Sequence, residues 1–263
     1  MVLDEILAHK RAEVAARMRE RPLPDLRAAA EERGRPRGGF RSALATPGVS
    51  VIAEIKQASP SRGRIAEDFE PARLARAYAE GGAAAISCLT DERYFMGHAD
   101  HLRAARAAVG LPLLRKDFVL DEYQIVEAAA IGADAVLIIV AALVQSELQR
   151  LIGVAEALGL DALVEAHDVD EARAAIDAGA GVLGINNRDL RSFAMDLRTT
   201  ERVLDALSYR PGVVVSESGI RDARDVTYLK GLGVQAVLIG ETLMCATDPV
   251  AATRELVEAG REG

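Results

Sequence analysis

The sequence predicts a closed (β/α)8 barrel, an α/β fold in which eight parallel strands alternate with helices. Strand-like apolar segments recur eight times, amphipathic alanine-rich segments separate them, and no glycine-rich dinucleotide motif follows the first strand. An open doubly wound sheet is the alternative, and the missing motif weakens it. A chain of 263 residues suits a barrel of this kind as one domain.

The predicted strands are short, apolar and often β-branched. Half of the residues are hydrophobic but only 4% are aromatic, so small aliphatic side chains build the core, as suits helices packed on parallel strands. Strands are predicted over residues 51–55, 84–89, 111–114, 135–139, 162–164, 182–185, 213–215 and 236–239, and helices over 71–80, 121–131, 145–158, 169–178 and 222–229. Residues 1–50 are predicted to form an N-terminal helical extension, with helices at 3–20 and 26–32, in one domain with a barrel of residues 51–263.

Charge and composition exclude several classes of partner. The net charge of −8 argues against nucleic acid, because phosphate backbones select a basic footprint. The longest apolar run, residues 135–144, is too short to cross a bilayer. Residues 1–20 are charged throughout, unlike a signal peptide, and Cys88 and Cys245 do not suggest a disulfide framework. We therefore expect a cytoplasmic protein with neither a nucleic-acid partner nor a membrane partner.

The first predicted strand ends with an acid and a base on the same side of the backbone. Because strand side chains alternate, Ile52, Glu54 and Lys56 share one face. The following Ser-Pro-Ser-Arg-Gly, residues 59–63, is typical of a loop around a ligand. A solvated surface ion pair is the alternative interpretation.

Five later strands also lead into charged or amide side chains at the same end. Active sites of (β/α)8 barrels lie at the C-terminal ends of the strands. Each residue alone has an ordinary explanation as a solvated charge or turn residue, but together they favour an active site, because charges in a barrel mouth must pair with each other or with a ligand. The candidates are Lys116, Glu165, Asn186 with Arg188, Glu217 with Ser218, and Glu241.

The last two of these loops suit an anion. Ser218-Gly219 and Gly240-Glu241 are each expected to open a helix or helical turn, where free backbone N–H groups and the helix dipole attract negative charge. Phosphate often binds between the loops after strands seven and eight of this fold. Glu241 fits such a site only if its N–H is used and its side chain points away.

Eight motifs, in order from the first strand to the last, resemble those of the indole-3-glycerol phosphate synthase family, the barrel enzymes of tryptophan biosynthesis. They are AEIKQASPSRG at 53–63, LTDERYFMG at 89–97, LLRKDFVLDEYQI at 113–125, GADAVLIIVAAL at 132–143, LVEAHD at 163–168, INNRDLRSF at 185–193, VSESGI at 215–220 and IGETLM at 239–244. Gln57 departs from the family pattern, which often has arginine there, and this puts one cationic contact to a substrate carboxylate in doubt. The N-terminal segment matches only loosely, and in the family it lies over the barrel mouth.

The resemblance implies a carboxy-lyase that closes the ring of 1-(2-carboxyphenylamino)-1-deoxyribulose 5-phosphate. The products are indole-3-glycerol phosphate, carbon dioxide and water. The resemblance implies no metal and no organic cofactor. The expected partner is this small phosphosugar-anthranilate molecule, and transient contact with other enzymes of the tryptophan pathway is a further expectation.

By resemblance, Lys116 is the proton donor for ring closure, since the ketone must accept a proton as the aromatic carbon attacks it. Glu165 is a base or a hydroxyl-positioning partner, and Lys56 with Glu54 serves the dehydration. Neighbouring charges leave each role open, and Lys56 could instead bind the substrate carboxylate. Asn186, Glu217 and Ser218 are expected to orient hydroxyls. The implied contacts are Ser59 or Ser61, Arg188, Ser218, Gly219, Gly240 and the Glu241 backbone for phosphate, and Phe95, Phe118, Leu137 and Leu190 for the anthranilate ring.

Two other functions remain open at this point. A phosphosugar isomerase barrel of tryptophan or histidine biosynthesis would carry Cys and Asp, or two Asp residues, where this chain has two glutamates and two lysines. A phospholigand-binding barrel without turnover would have no need of both lysines.

Overall fold

A computed structural model describes residues 2–34, 39–60, 62–66, 68–189 and 194–261. Across these residues eight parallel strands close into a barrel in chain order, and the first strand pairs with the last. The predicted (β/α)8 fold is therefore confirmed. Strands one to eight are Ser50–Ile55, Ala85–Leu89, Leu113–Lys116, Ala135–Ile139, Asp161–Ala166, Val182–Asn186, Val213–Glu217 and Ala236–Ile239.

Four strands continue past the predicted ends and include the polar residues expected in loops. Lys116 is the last residue of strand three, and Glu165 lies within strand five. Asn186 and Glu217, the last residues of strands six and seven, are partners in the ladder. The strands can include these polar residues because their side chains pair with one another inside the barrel.

The alternation predicted for strand one is present. Ile52 belongs to the cluster inside the barrel, whereas Val51, Ala53 and Ile55 belong to the layer between strands and helices. The helices are Val2–Glu20, Leu23–Arg33, Phe40–Leu44, Pro71–Glu80, Glu92–Phe95, Ala99–Ala108, Glu122–Ile131, Gln145–Ala157, Val169–Asp177, Arg198–Ala206, Ala223–Gly231, Glu241–Met244 and Pro249–Arg261. A 3-10 turn follows strand four at Val140–Ala142.

Aspartates set the start of four helices that follow barrel strands. The side chains of Asp91, Asp121, Asp168 and Asp222 each accept a hydrogen bond from a backbone N–H in the first turn. These caps also fix where the preceding loops end, at the same side of the barrel as the predicted site.

The N-terminal helices lie at different parts of the barrel. Leu26 of the second helix packs with Val126 on the outer surface. Phe40 and Leu44 are fully buried among side chains at the strand starts, so their short helix covers the N-terminal end of the barrel. The first helix, Val2–Glu20, reaches the opposite end.

The loop after strand one contains a small hairpin, in which Ala58–Ser59 pairs antiparallel with Gly63–Arg64. Strand one does not continue into this segment, as predicted, but the hairpin inside the loop was not predicted. The antiparallel pairing extends beyond the hairpin, where the N–H of Ile65 donates to the carbonyl of Gln57 at 2.8 Å. Within the described part of the chain, no helix has the length and apolarity that a membrane crossing requires.

Candidate active site

A cavity of about 310 Å³ opens at the C-terminal end of the barrel. Residues at or just after the ends of all eight strands line it, and the first helix adds Leu3 and Ile6. The predicted site residues found in its wall are Glu54, Lys56, Ser59, Phe95, Lys116, Phe118, Leu137, Glu165, Asn186, Arg188, Ser218, Gly219, Gly240 and Glu241. Glu217 lies beneath them, and Ser61 and Leu190 lie outside the described residues.

Lys116 lies between two buried carboxylates. Its Nζ is 2.8 Å from Oε2 of Glu217 and 3.2 Å from Oε2 of Glu165. Burial disfavours the ammonium, but Glu217 and Glu165 together raise the pKa of Lys116 well above its usual value. The lysine is therefore charged at neutral pH and, with 13% of its side chain exposed, can reach a ligand in the cavity.

The two glutamates around Lys116 differ in their surroundings. Burial raises the pKa of Glu217 above its usual value, and the nearby Glu165 adds to this effect. Burial acts the same way on Glu165, but Lys116 and His167 hold the pKa of Glu165 well below its usual value. The Glu165 carboxylate is thus firmly ionised, whereas the Glu217 carboxyl group ionises less readily.

His167 bridges two carboxylates next to this cluster. Its Nε2 is 3.3 Å from Oε1 of Glu165, and its Nδ1 is 2.9 Å from Oε2 of Glu171. Both ring nitrogens therefore face acceptors, an arrangement that favours the imidazolium with both nitrogens protonated. The sequence motif LVEAHD contained this histidine, but no role was predicted for it.

Glu54 and Lys56 form the second acid and base group. Nζ of Lys56 is 2.7 Å from Oε1 of Glu54, as the strand alternation predicts. The hydroxyl of Ser87 lies 3.4 Å from the other carboxylate oxygen. Burial disfavours ionisation of Glu54, but Lys56 and Lys116 hold its pKa below the usual value. Because only 6% of the Glu54 side chain is exposed, this pair is part of the cavity wall and not a solvated surface pair.

Two glycines leave room for these carboxylates. A Cβ on Gly184 would lie 2.2 Å from Oε1 of Glu217, and a Cβ on Gly240 would lie 2.4 Å from Oε1 of Glu54. Any other residue at either position would displace a charged group of the site. The sequence shows both glycines, but only the folded barrel shows that a carboxylate lies against each of them.

The loop after strand seven differs from its prediction. Ser218 and Gly219 do not open a helix, because both have left-handed backbone angles, with φ of 66° and 82°; the next helix starts at its Asp222 cap. A non-glycine residue in this region carries backbone strain, which is common at binding sites. Asn187 stabilises the loop, since its buried Nδ2 donates to the carbonyls of Glu217 and Ser218 at 3.0 and 3.1 Å.

The loop after strand eight does open a short helix, Glu241–Met244, as predicted. The carboxylate of Glu241 lies 2.9 Å from Nη2 of Arg62 in the loop after strand one. An ion pair therefore joins the two loops at the rim, and the Glu241 side chain has a partner of its own.

Aromatic rings form one wall of the cavity. The ring centroids of Phe95 and Phe118 are 6.2 Å apart, and Leu137 lies in the same lining. Gln57 is not among the residues that line the cavity. Its amide lies 3.1 Å from the Met96 carbonyl and 3.2 Å from the Arg64 guanidinium. The cavity thus combines an apolar wall with paired acids and bases and a glycine-containing rim.

Comparison with known proteins decides the family. The family model described as indole-3-glycerol phosphate synthase matches residues 3–256. The chain belongs to the indole-3-glycerol phosphate synthase family. It is 48% identical to the protein of that name from Roseiflexus castenholzii over 97% of each chain, and 51% identical to indole-3-glycerol phosphate synthase 2 of Streptomyces coelicolor over 90% of each. It is 43% identical over the full length of the enzyme from a Thermoanaerobacter species.

Membership of the indole-3-glycerol phosphate synthase family makes the chain a carboxy-lyase of tryptophan biosynthesis that acts on a small phosphate-containing substrate. Solved structures show the same fold at low sequence identity. The 3-hexulose-6-phosphate synthase of Salmonella typhimurium covers 80% of this chain and 98% of its own, with a TM-score of 0.64 at 15% identity. The thiamine phosphate pyrophosphorylase of Pyrococcus furiosus covers 84% and 96%, with a TM-score of 0.61 at 20% identity.

Proposed function

We propose that this chain, in the cytoplasm, converts 1-(2-carboxyphenylamino)-1-deoxyribulose 5-phosphate into indole-3-glycerol phosphate. Two clusters, each of a lysine with neighbouring glutamates, supply the acids and bases. The observation that carries the proposal is Lys116, charged and reachable from the cavity, between Glu165 and Glu217. The Lys56 and Glu54 pair in the same cavity supports it, since the reaction has two separate proton-transfer stages.

In the first stage the ring carbon that bears the carboxylate attacks the ketone. The ammonium of Lys116 donates a proton to the ketone oxygen as the carbon–carbon bond forms, and the ring becomes cationic. Loss of carbon dioxide returns the electron pair to the ring. The carboxylates beside Lys116 keep it protonated before the step and favour its reprotonation afterwards.

In the second stage the hydroxyl leaves from the ring carbon that was the ketone carbon, and the neighbouring methylene carbon loses a proton, so that the C=C bond of the indole ring forms and the nitrogen keeps its hydrogen. Lys56, held by Glu54, donates the proton that makes the leaving group water. Glu165, whose carboxylate is ionised, accepts the proton from the methylene carbon or positions the hydroxyl. Asn186, Glu217 and Ser218 orient the substrate hydroxyls in this proposal.

The two ends of the substrate contact different walls of the cavity. Phe95, Phe118 and Leu137 contact the anthranilate ring, and Leu190 is proposed as a further contact. The proposed phosphate contacts are Ser59 or Ser61, Arg188, Ser218, Gly219, Gly240 and the Glu241 N–H. We also propose that residues 1–50 and the barrel act as one domain, with contact to other enzymes of the pathway transient.

The test is to mix the purified protein with the substrate and follow indole absorbance and fluorescence. The chain contains no tryptophan, so the protein adds little indole signal. Lys116→Ala is expected to lower turnover by about a hundredfold or more, as expected for loss of a general acid. Lys230→Ala, on the helix before strand eight, is the matched control and should retain full activity. No product from the unmodified protein, or full activity of Lys116→Ala, would contradict the proposal.

A further inference from the structure

We infer that Lys10 is a positioning residue for this reaction, because its buried ammonium joins the two loops that carry the aromatic wall of the cavity. The inference rests on the proposed function, since it concerns the binding of the substrate ring. Lys10 belongs to the first helix and was not among the residues that the sequence predicted for the site.

The first helix presents one face to the barrel mouth. Leu3 and Ile6 line the cavity, and Lys10 follows Ile6 by four residues, so it lies one turn further along the same face. Only 1% of the Lys10 side chain is exposed. Its Nζ is 2.9 Å from Oδ2 of Asp91 and 2.9 Å from Oδ1 of Asp117, which are both fully buried, and 3.1 Å from both carboxylate oxygens of Glu13 on its own helix.

Asp91 connects Lys10 to Phe95. The second oxygen of this carboxylate, Oδ1, accepts a hydrogen bond of 2.7 Å from the N–H of Tyr94 and so caps the short helix Glu92–Phe95. One oxygen thus binds the first helix, and the other fixes the turn that carries the aromatic ring. A shift of Asp91 would move Phe95 with it.

Asp117 connects Lys10 to both Phe118 and Lys116, which are its neighbours in the chain. Its Oδ1 accepts a hydrogen bond of 2.8 Å from the N–H of Phe118, and its Oδ2 accepts one of 2.6 Å from the hydroxyl of Thr90. The carboxylate therefore sets the backbone direction just after the proton donor of the proposed mechanism.

A lysine suits this place for a physical reason. Its ammonium is a compact charge with three donors, which can serve two carboxylates from different loops at once. Burial disfavours the charged form, but Asp117 and Asp91 raise the pKa of Lys10 well above its usual value. Burying three charges is a poor way to gain stability alone, whereas it fixes their relative positions closely. The loops it fixes are those of Phe95 and Phe118.

The experiment compares Lys10→Met with the unmodified full chain. We expect KM for the substrate to rise by about tenfold or more, because small displacements of binding groups have large kinetic effects. Competitive inhibition by anthranilate should weaken by a similar factor. Inhibition by inorganic phosphate should change by less than about twofold, because the acidic partners of Lys10 among the described residues, Glu13, Asp91 and Asp117, are not phosphate contacts. Lys10→Arg keeps the charge and should lose less than Lys10→Met.

The matched control is Arg106→Met. Arg106 also forms a buried ion pair with an aspartate, Asp134, but at the start of strand four, on the far side of the barrel. We expect this variant to lose stability without a change in KM. If Lys10→Met does not fold, Lys10→Met combined with Asp91→Asn removes one charge of each sign and should show the same rise in KM.

Three results would overturn the inference. They are an unchanged KM in a folded Lys10 variant, equal weakening of phosphate and anthranilate, and an equal rise in KM for Arg106→Met. Absence of turnover in the unmodified protein would instead contradict the proposed function. The two failures are therefore distinguishable.

Discussion

Replacing His167 by glutamine should remove a part of the stability that depends on pH. Both ring nitrogens of His167 face carboxylate oxygens, of Glu165 at 3.3 Å and of Glu171 at 2.9 Å. Glutamine is polar and of similar length, but it cannot take a proton in this range. The difference between the two proteins therefore reports the ionisation of the imidazole.

The size and sign of the effect follow from the pKa. Although burial disfavours the imidazolium, hydrogen bonds to Glu165 and Glu171 raise the pKa of His167 from 6.5 to about 10. A group with a raised pKa in the folded state stabilises the fold fully below its unfolded pKa, and this contribution is lost as pH rises through the folded pKa. Each pH unit between these values removes about 1.4 kcal/mol. The advantage of the unmodified protein should shrink by about 2 to 3 kcal/mol from pH 7 to pH 9.

Urea unfolding at pH 7, 8 and 9 measures this difference, with far-UV circular dichroism and tyrosine fluorescence as independent probes of the transition. Arg106→Gln is the control, because it removes an ion pair with Asp134 that contains no histidine, and the stability it loses should be the same at each pH. A stability difference for His167→Gln that stays constant or grows from pH 7 to 9 would refute the reasoning.

Three further substitutions separate turnover from stability. Gly184→Ala places a Cβ 2.2 Å from the present position of the Glu217 carboxylate oxygen, so the carboxylate must move. We expect turnover to fall about tenfold or more. The melting temperature should change little, because the clash is with the end of a flexible side chain. Gly153→Ala, in a helix with open space around the new Cβ, should keep full turnover and gain up to about 1 kcal/mol of stability. Glu54→Gln should lower turnover about a hundredfold by weakening the hold on Lys56, and a large loss of melting temperature with normal turnover would contradict that role.

Much of the site was predictable because strand periodicity and barrel topology are both strong constraints. Alternation along strand one placed Glu54 beside Lys56, where the structure has them 2.7 Å apart. Closure of the barrel then brings Lys116, Glu165 and Glu217 together from strands 49 to 101 residues apart in the chain. The same alternation would have found His167, which lies two residues after Glu165.

Lys10 was not predictable from periodicity, because the first helix carries charges on its buried face. Which charge is buried depends on Asp91 and Asp117, which lie far along the chain. A compositional signal was nevertheless present. The chain has only four lysines among many arginines, and three of them, Lys10, Lys56 and Lys116, lie at the barrel mouth.

Lys10 and Lys116 show how one arrangement of charges serves two purposes. Each ammonium joins two buried carboxylates from elsewhere in the chain, at 2.9 Å each for Lys10, which also contacts Glu13 of its own helix, and at 2.8 and 3.2 Å for Lys116. Exposure distinguishes them, since 13% of the Lys116 side chain faces the cavity and only 1% of Lys10 is exposed. A lysine that a ligand can reach is able to transfer a proton, whereas a sealed lysine can only hold its partners in place. The same charge pattern therefore supports proton transfer at the end of strand three and loop positioning one residue further on, at Asp117.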